Sequence, residues 1–424
     1  MKIQAPKGTF DILPYGAEPS WQTSSLWQRA EEEIRRLARN YGYLEIRTPL
    51  CESTELFDKG VGESSDIVMK EMFTFQDKGG RSLTLRPEGT APVMRALVEH
   101  RLLERGGPHK LFYIGPMFRY ERPQSGRYRQ HHQFGIEAVG IAAPEQDVEV
   151  IDLFLELYRR MGLKECNVLL NSVGDAPSRI AYRNALIEFL TPHFSELSPD
   201  SQVRFSKNPL RILDSKDPKD KEILTGAPSI LDHLSEEAAV HFSAVRKALD
   251  LLQIPYLVDP RIVRGLDYYN KTVFEIVSPQ LGSTIGGGGR YDGLIKTFGG
   301  PDLPSVGAAT GLERVLQVVS SEGKPELQGP LFHAIPLGEE AKAVLFHLVA
   351  ECRRQNISAQ VELSTEKLQT ALRNATQTGA SYCAILGSAE LAKGVLQWKN
   401  LMTREAEEIP IDRFFSILKE RGLV

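Results

Sequence analysis

The sequence predicts an α+β fold: a largely antiparallel sheet with a helical insertion, then a small α/β domain. Two patterns and one break in the chain carry this expectation. Short strand candidates arrive in series at 82–86, 111–118, 133–139, 168–171, 272–276 and 306–310, with helices between only some of them. Strands joined directly, with helices to one side, favour an antiparallel sheet over a βαβ array. From about 178 to 252 the texture turns to helical pattern broken by charged turns such as Asp214-Ser-Lys-Asp-Pro-Lys-Asp-Lys. The breaker-rich stretch 320–330 marks a boundary, beyond which apolar runs at 331–335, 358–361, 382–386 and 395–398 alternate with helical stretches. The expected division is 1–177 and 253–322 for a split sheet domain, 178–252 for the insertion, 323–330 for a linker and 331–424 for the last domain.

The elements follow from local pattern. Trp27, Ile34, Leu37, Ala38 and Tyr41 recur at helical spacing and Gly42 follows as a C-cap, so a helix is expected over 20–41. The segment 43–50 reads as a strand that Pro49 confines to an edge or interface. A strand then bends at Glu88 and Thr90 into a helix starting near Pro92, and another helix is expected over 146–161.

Composition narrows the function classes. The chain has 424 residues, 42% hydrophobic and 25% charged, with 51 basic against 55 acidic residues for a formal charge of −4. That length buries cores without metal or disulfide staples, and the small net charge decides nothing about nucleic acid, which responds to local clusters. Cys51, Cys166, Cys352 and Cys383 show no paired spacing, which fits a reducing cytoplasm and neither a zinc site nor a disulfide framework. Residues 1–14 lack the apolar run of a signal peptide, and no stretch of about 18 apolar residues suits a membrane span. The histidines form no metal-ligand spacing, and a dedicated metal motif is not expected.

Positive charge concentrates in 109–137, a strand, a polar loop and a returning strand. Arg119 and Glu121 share a strand face by period 2, and Arg122, Arg127 and Arg129 follow with Tyr128 among them. Arginine forks match phosphate oxygens and aromatics among them offer stacking surfaces, so a nucleotide is the natural ligand; the alternative is a solvated hairpin of ion pairs. Glu88 at its bend either meets a ligand or complements the helix dipole. Arg264-Gly-Leu-Asp-Tyr-Tyr269 sets an arginine, an acid and two tyrosines before an alternating strand. Gly286-Gly-Gly-Gly-Arg-Tyr-Asp-Gly293 fits neither phosphate-loop spacing and reads as a strand whose bare backbone admits a planar ligand beside Tyr291. Arg314 falls near the first turn of a helix, where an arginine and helix N–H groups suit a triphosphate.

Together these segments resemble the histidyl-tRNA synthetases, a family of class II aminoacyl-tRNA synthetases. Lys7-Gly-Thr-Phe-Asp-Ile-Leu-Pro14 is similar to the family's N-terminal signature, 43–52 to motif 1, Arg119-Tyr-Glu-Arg122 to motif 2 and Gly311-Leu-Glu-Arg314 to motif 3. Arg264-Gly-Leu-Asp-Tyr-Tyr269 and Gly287-Gly-Gly-Arg-Tyr-Asp-Gly293 are similar to its two histidine motifs. The resemblance implies a class II catalytic domain, an anticodon-binding α/β domain, and activation of L-histidine with ATP before transfer to tRNA(His). It implies Arg119 and Arg264 as catalytic residues at the α-phosphate and Arg119, Glu121, Arg127 and Arg314 as ATP-binding residues. Histidine would be held by Glu88, Thr90, Gln133, Glu137, Arg264, Tyr268, Tyr269 and Tyr291. Mg2+ would enter with ATP, and motif 1 implies a homodimer. The resemblance also covers a histidine-sensing regulatory paralogue of ATP phosphoribosyltransferase, a relative that generally lacks the last domain. In 364–379 only Lys367 and Arg373 are basic, where the family usually carries a glycine, an arginine and several lysines.

Overall fold

The computed structural model describes residues 3–62, 65–123, 126–262, 264–321 and 329–423. The linker expected at 323–330 lies, apart from its last two residues, outside the described residues. The chain divides into two compact units, Met1–Lys324 and Pro325–Val424.

The first unit is built on an eight-stranded sheet in the order Leu44–Glu45, His109–Phe118, Gln130–Val139, Ser305–Gly311, Ser283–Arg290, Asn270–Ser278, Asn167–Ser172, Tyr256–Val258. All pairings are antiparallel except the two outermost. Alternation along Gln130–Val139 sends Phe134, Ile136 and Ala138 into the main core, under the helices Ser24–Asn40, Glu145–Arg160, Glu236–Leu251 and Leu312–Ser321. The opposite face carries Gly135 and Glu137 toward the helix Thr90–Glu99, whose Val93, Met94 and Leu97 pack on Tyr113, Tyr269 and Tyr291. One face therefore carries the main core, and the other, under a short helix, carries a smaller apolar cluster beside polar side chains.

Two expectations are corrected. The strand at 82–86 does not join this sheet; Ser82–Leu85 is the middle of a separate three-stranded sheet between Cys51–Ser53 and Phe73–Gln76. Hydroxyls tie it there, with Thr84 at 2.9 Å from both Thr54 and Thr74. Arg119 and Glu121 do not share a strand face, because the strand ends at Phe118 and the Glu121 N–H turns back to the Arg119 carbonyl at 2.8 Å.

Every regular element within Ala176–Leu251 is helical, with turns between the helices, and two of them begin side by side. Asp175 accepts from the Ser178 N–H, and Ser235 both accepts from the Ala238 N–H and donates to Asp175 at 2.6 Å. The second unit holds a five-stranded sheet, Ala359–Val361, Phe332–Pro336, Tyr382–Leu386, Val395–Asn400, Ala406–Pro410. Its first three strands are parallel and its last two pairings antiparallel.

Arg290, in the glycine-rich segment that looked functional, is a core residue. It is 1% exposed, bonded to the fully buried Asp147 and to the Ile141 and Ala143 carbonyls, with His241 3.5 Å from the same aspartate. Burial opposes the Asp147 charge, but His241 and Arg290 outweigh it and hold the carboxyl below its usual range. Arg290→Ala should cost about 3–5 kcal/mol, since it strands a buried carboxylate; a denaturant melt within error of the parent would refute this.

Candidate functional site

Two neighbouring sites form on the open face of the large sheet. The first is a pocket of about 220 Å³ lined by Arg119, Arg127 and Arg314 with Glu121, Tyr128, His131, Gln133, Ile285 and Glu313. Arg119 donates from Nε to the Pro87 carbonyl at 2.8 Å, anchoring it at the strand-to-helix bend. Arg314, on the first turn of Leu312–Ser321, donates to the carbonyls of Gly126 at 3.0 Å and Thr284 at 2.5 Å. Arg127 pairs with Glu121 at 3.1 Å. Behind the pocket, Glu313 accepts from the His132 N–H at 2.7 Å and sits 3.0 Å from His132 Nδ1, fastening this strand to the helix that carries Arg314.

The field in this pocket is positive. Burial and then the nearby Arg127 depress the Arg314 guanidinium, and burial followed by Arg119, His132 and Arg314 drives His131 down to about 3, so its ring is neutral. Cations crowded in a half-dry recess are ready for a polyanion. Arg129, by contrast, is spent on structure, lying 3.9 Å over the Tyr120 ring.

The second site is acidic and aromatic. Glu137 is 1% exposed and accepts from the Thr90 hydroxyl at 2.7 Å and from the Tyr291 hydroxyl. Glu88, 4% exposed, accepts from the N–H groups of Thr90 at 2.6 Å and Ala91 at 2.8 Å. The dipole-complementing alternative for Glu88 is thus realised, and it also fixes this carboxylate beside Glu137. Burial pushes Glu137 up to about 8 against its hydrogen bonds from Tyr291 and Thr90, with the Glu88 charge adding to the rise. Glu88 is raised as well, by burial first. The rings of Tyr268, Tyr269 and Tyr291 close the wall with centroids 4.6–6.2 Å apart. Two hard-to-ionise carboxyls in one aromatic recess suit a cationic, hydrogen-bonding ligand.

One strand connects the two sites. His131, Gln133, Gly135 and Glu137 share a face of Gln130–Val139, which sets the pocket wall at Gln133 about 13 Å from Glu137 at about 3.3 Å per residue. Gln133 therefore stands in the wall of the cationic pocket, not against the acids; its Nε2 is 3.4 Å from His131 Nε2 and its buried Oε1 has no protein partner.

Arg264 stands between. Its Nη1 meets Glu275 at 2.5 Å, its guanidinium lies 5.9 Å from the Tyr269 ring centroid, and its side chain is 20% exposed. Glu275 uses its other oxygen to accept from the Thr284 hydroxyl at 2.7 Å, and the Thr284 carbonyl in turn holds Arg314. Arg264 and Arg314 are thus linked through Glu275 and Thr284. Glu275 escaped sequence reasoning, although an acid inside the run Thr272-Val-Phe-Glu275-Ile-Val was a usable signal. Tyr113, whose ring covers Gly89 and Gly135 beside the acids, gave none within its apolar strand.

The glycine strand corrects a further expectation. Its bare backbone faces protein, not ligand: a Cβ at Gly286 would strike the Tyr158 hydroxyl, at Gly288 the Gly307 carbonyl, and at Gly289 the Thr272 carbonyl. At Gly287 it would lie 2.8 Å from the Phe274 carbonyl and 2.9 Å from Arg264 Nη1, so this glycine makes room for the arginine.

Among the described residues no group of three His, Cys, Asp or Glu side chains could hold a metal ion, and no helix is long and apolar enough to cross a membrane.

Residues 19–315 match the family model described as histidyl-tRNA synthetase, and residues 333–421 match an anticodon binding domain. Histidine–tRNA ligase of Protochlamydia amoebophila is 51% identical over 99% of this chain and 100% of its own length, and that of Desulfitobacterium hafniense is 49% identical over 99% of both. The apo crystal structure of Staphylococcus aureus histidyl-tRNA synthetase superposes with a TM-score of 0.81 at 36% identity, covering 99% of this chain and 100% of that one. With its arginine-lined pocket, its acidic recess and these full-length similarities, the chain belongs to the histidyl-tRNA synthetase family.

Proposed function

We propose that the protein is a histidine–tRNA ligase, joining L-histidine to ATP as histidyl-adenylate with release of pyrophosphate, then moving the histidyl group to the 3′ end of tRNA(His). The observation that carries the chemistry is the single strand joining a cationic pocket to a buried acidic recess. Histidine lies between them, its ammonium and imidazole toward Glu88, Thr90, Glu137 and the tyrosines, and its carboxylate toward the arginines. Attack of that carboxylate on the α-phosphate brings two anions together, and Arg119 and Arg264 stabilise the charge that builds on the phosphate oxygens as pyrophosphate leaves. Arg127 and Arg314 hold the remaining phosphates and the adenine side, Glu121 orients the nucleotide, and Gln133, in the pocket wall, meets histidine at its carboxylate end. Retention of the arginines and of the second unit favours this reading over a regulatory paralogue.

Mg2+ enters with ATP in this reading. The pocket offers the hard oxygen donors that it takes in Glu121 and Glu313, each with one carboxylate oxygen engaged by protein, Glu121 by Arg127 and Glu313 by His132. Bound there, it would offset triphosphate charge. Residues 178–252 are a helical insertion between catalytic segments 1–177 and 253–322, and 331–424 contact the anticodon region. Homodimerisation through 43–52 is supported by the edge strand Leu44–Glu45 and by the exposure of Leu44 and Leu50. The cytoplasm, where thiols stay reduced, is the proposed location.

The test is histidine-dependent exchange of labelled pyrophosphate into ATP, followed by charging of tRNA(His). Exchange without charging would confine the protein to the activation step, and the absence of both would end the proposal and favour the sensing reading. Gly287→Ala should lower the exchange rate by about 10- to 100-fold, because its methyl displaces the Arg264 guanidinium from beside Glu275. Parent-like exchange in this variant would remove the steric claim.

A further inference from the structure

The stretch 264–269 carries Arg264, Tyr268 and Tyr269, yet it runs outside the sheet. Its flanks are pinned: Asn171 Nδ2 donates to the carbonyls of Pro260 at 3.2 Å and Ile262 at 3.0 Å, and Asn270 Nδ2 donates to the Asp292 carbonyl at 2.7 Å. Between these anchors, several of the holding groups come from the helical insertion. Arg211 Nη2 donates to the Gly265 carbonyl at 3.0 Å and to Asp267 Oδ1 at 2.8 Å, and its Nε reaches the same oxygen at 3.3 Å. Asn208 is 3.5 Å from that oxygen, and Arg179 donates to the Tyr269 carbonyl at 3.4 Å. The Asp267 N–H rests on the Val61 carbonyl at 3.1 Å, and Gly62, at φ +98°, leaves the space that the Asp267 side chain fills.

Arg211 is itself fixed from behind. It is 9% exposed, its carbonyl accepts from Arg204 at 3.0 Å, and the adjacent Ile212 is fully buried in the insertion's own apolar core. Nearby, the fully buried Asp220 collects the hydroxyls of Ser198, Ser201 and Ser215 at 2.7, 2.6 and 2.5 Å, tying the turns on either side of Pro209–Asp214. A planar fork that engages a carboxylate and a carbonyl at once fixes orientation in a way that an ammonium does not.

We propose that Arg211 is a positioning residue that latches the helical insertion onto the 264–269 loop, so that the seating of the insertion sets the placement of Arg264 and Tyr268. This rests on the activation chemistry proposed above. Gly265 and Asp267 sit next to Arg264 and Tyr268 in the chain, so release of the latch shifts a phosphate-binding and a histidine-binding group together.

The experiment uses the full chain with Arg211→Met, Arg211→Lys, Asp267→Asn and the double variant Arg211→Met with Asp267→Asn. Arg211→Met should lower kcat for histidine-dependent pyrophosphate exchange by about 10- to 100-fold and raise the KM for histidine more than that for ATP. Arg211→Lys should recover only part, Asp267→Asn should show the same split, and the double variant should be no worse than Arg211→Met alone. In hydrogen–deuterium exchange, the amides of 264–270 should exchange faster in Arg211→Met than in the parent. Parent-like kinetics, effects that add in the double variant, or unchanged amide exchange would overturn the latch. Where Arg211→Met does not fold, Arg211→Lys and Asp267→Asn decide by the same split. A parent chain without any exchange activity would sink the proposed function instead, while the amide-exchange comparison still judges the latch.

Discussion

Replacing Arg264 with alanine is expected to cut histidine-dependent pyrophosphate exchange by about 100- to 1,000-fold while leaving the melting temperature nearly unchanged. The size follows from where the guanidinium stands, between the cationic pocket and the acidic recess, with Gly287 stripped of a side chain to admit it and Glu275 aligning it. Burial opposes its charge, but Tyr269 and Glu275 hold it firmly protonated, so the positive charge is in place before reaction and needs no reorganisation when the α-phosphate is attacked. Stability should suffer little because Glu275 is 25% exposed and keeps the Thr284 hydroxyl. Arg264→Lys should restore little, since a point charge cannot meet Glu275 and phosphate in one plane. A variant that exchanges pyrophosphate at the parent rate would take Arg264 out of the reaction.

Much of this arrangement was legible before any coordinates, and what was not has identifiable causes. Period-2 alternation and turn residues give the strands of the large sheet, because burial on one face enforces the pattern. They do not say which sheet a strand joins, and the 82–86 segment went to a separate one through hydroxyl contacts among Thr54, Thr74 and Thr84. The arginines of the pocket stand out in sequence by density, yet density does not separate Arg314, which faces the pocket, from Arg129, which stacks on Tyr120, or Arg290, which is core. Glycines signal close approach without naming what approaches, and here it is neighbouring carbonyls, Tyr158 and Arg264. Glu275 and Arg211 touch the site only through another residue; an acid in an apolar run marks the first, and no local motif announces the second.

Glu137 gives the second large effect, through pH. Its pKa of about 8 in the folded chain lies above the ordinary 4.5, so the folded state holds an extra proton across that interval. The stability this contributes is complete below about 4.5 and is lost as pH rises through about 8. In the proposed function histidine brings a cationic ammonium to the same recess and favours the anion, so its affinity should rise with pH toward 8 and its binding should release a proton. Glu137→Gln keeps the shape and removes the titration. It should weaken histidine by about 10- to 100-fold, the worth of a charged hydrogen bond left unmade in a dry site, with the ATP KM within about twofold of the parent. Calorimetry in two buffers of different ionisation enthalpy, run on parent and variant, isolates Glu137 from the ligand's own titration. The parent's excess proton release should vanish in Glu137→Gln, and the melting temperature of the variant should decline less between pH 4.5 and 8. Equal proton release in both proteins would mean that Glu137 keeps its protonation state when histidine binds, so that the recess does not select its ligand through a carboxyl that ionises to receive it.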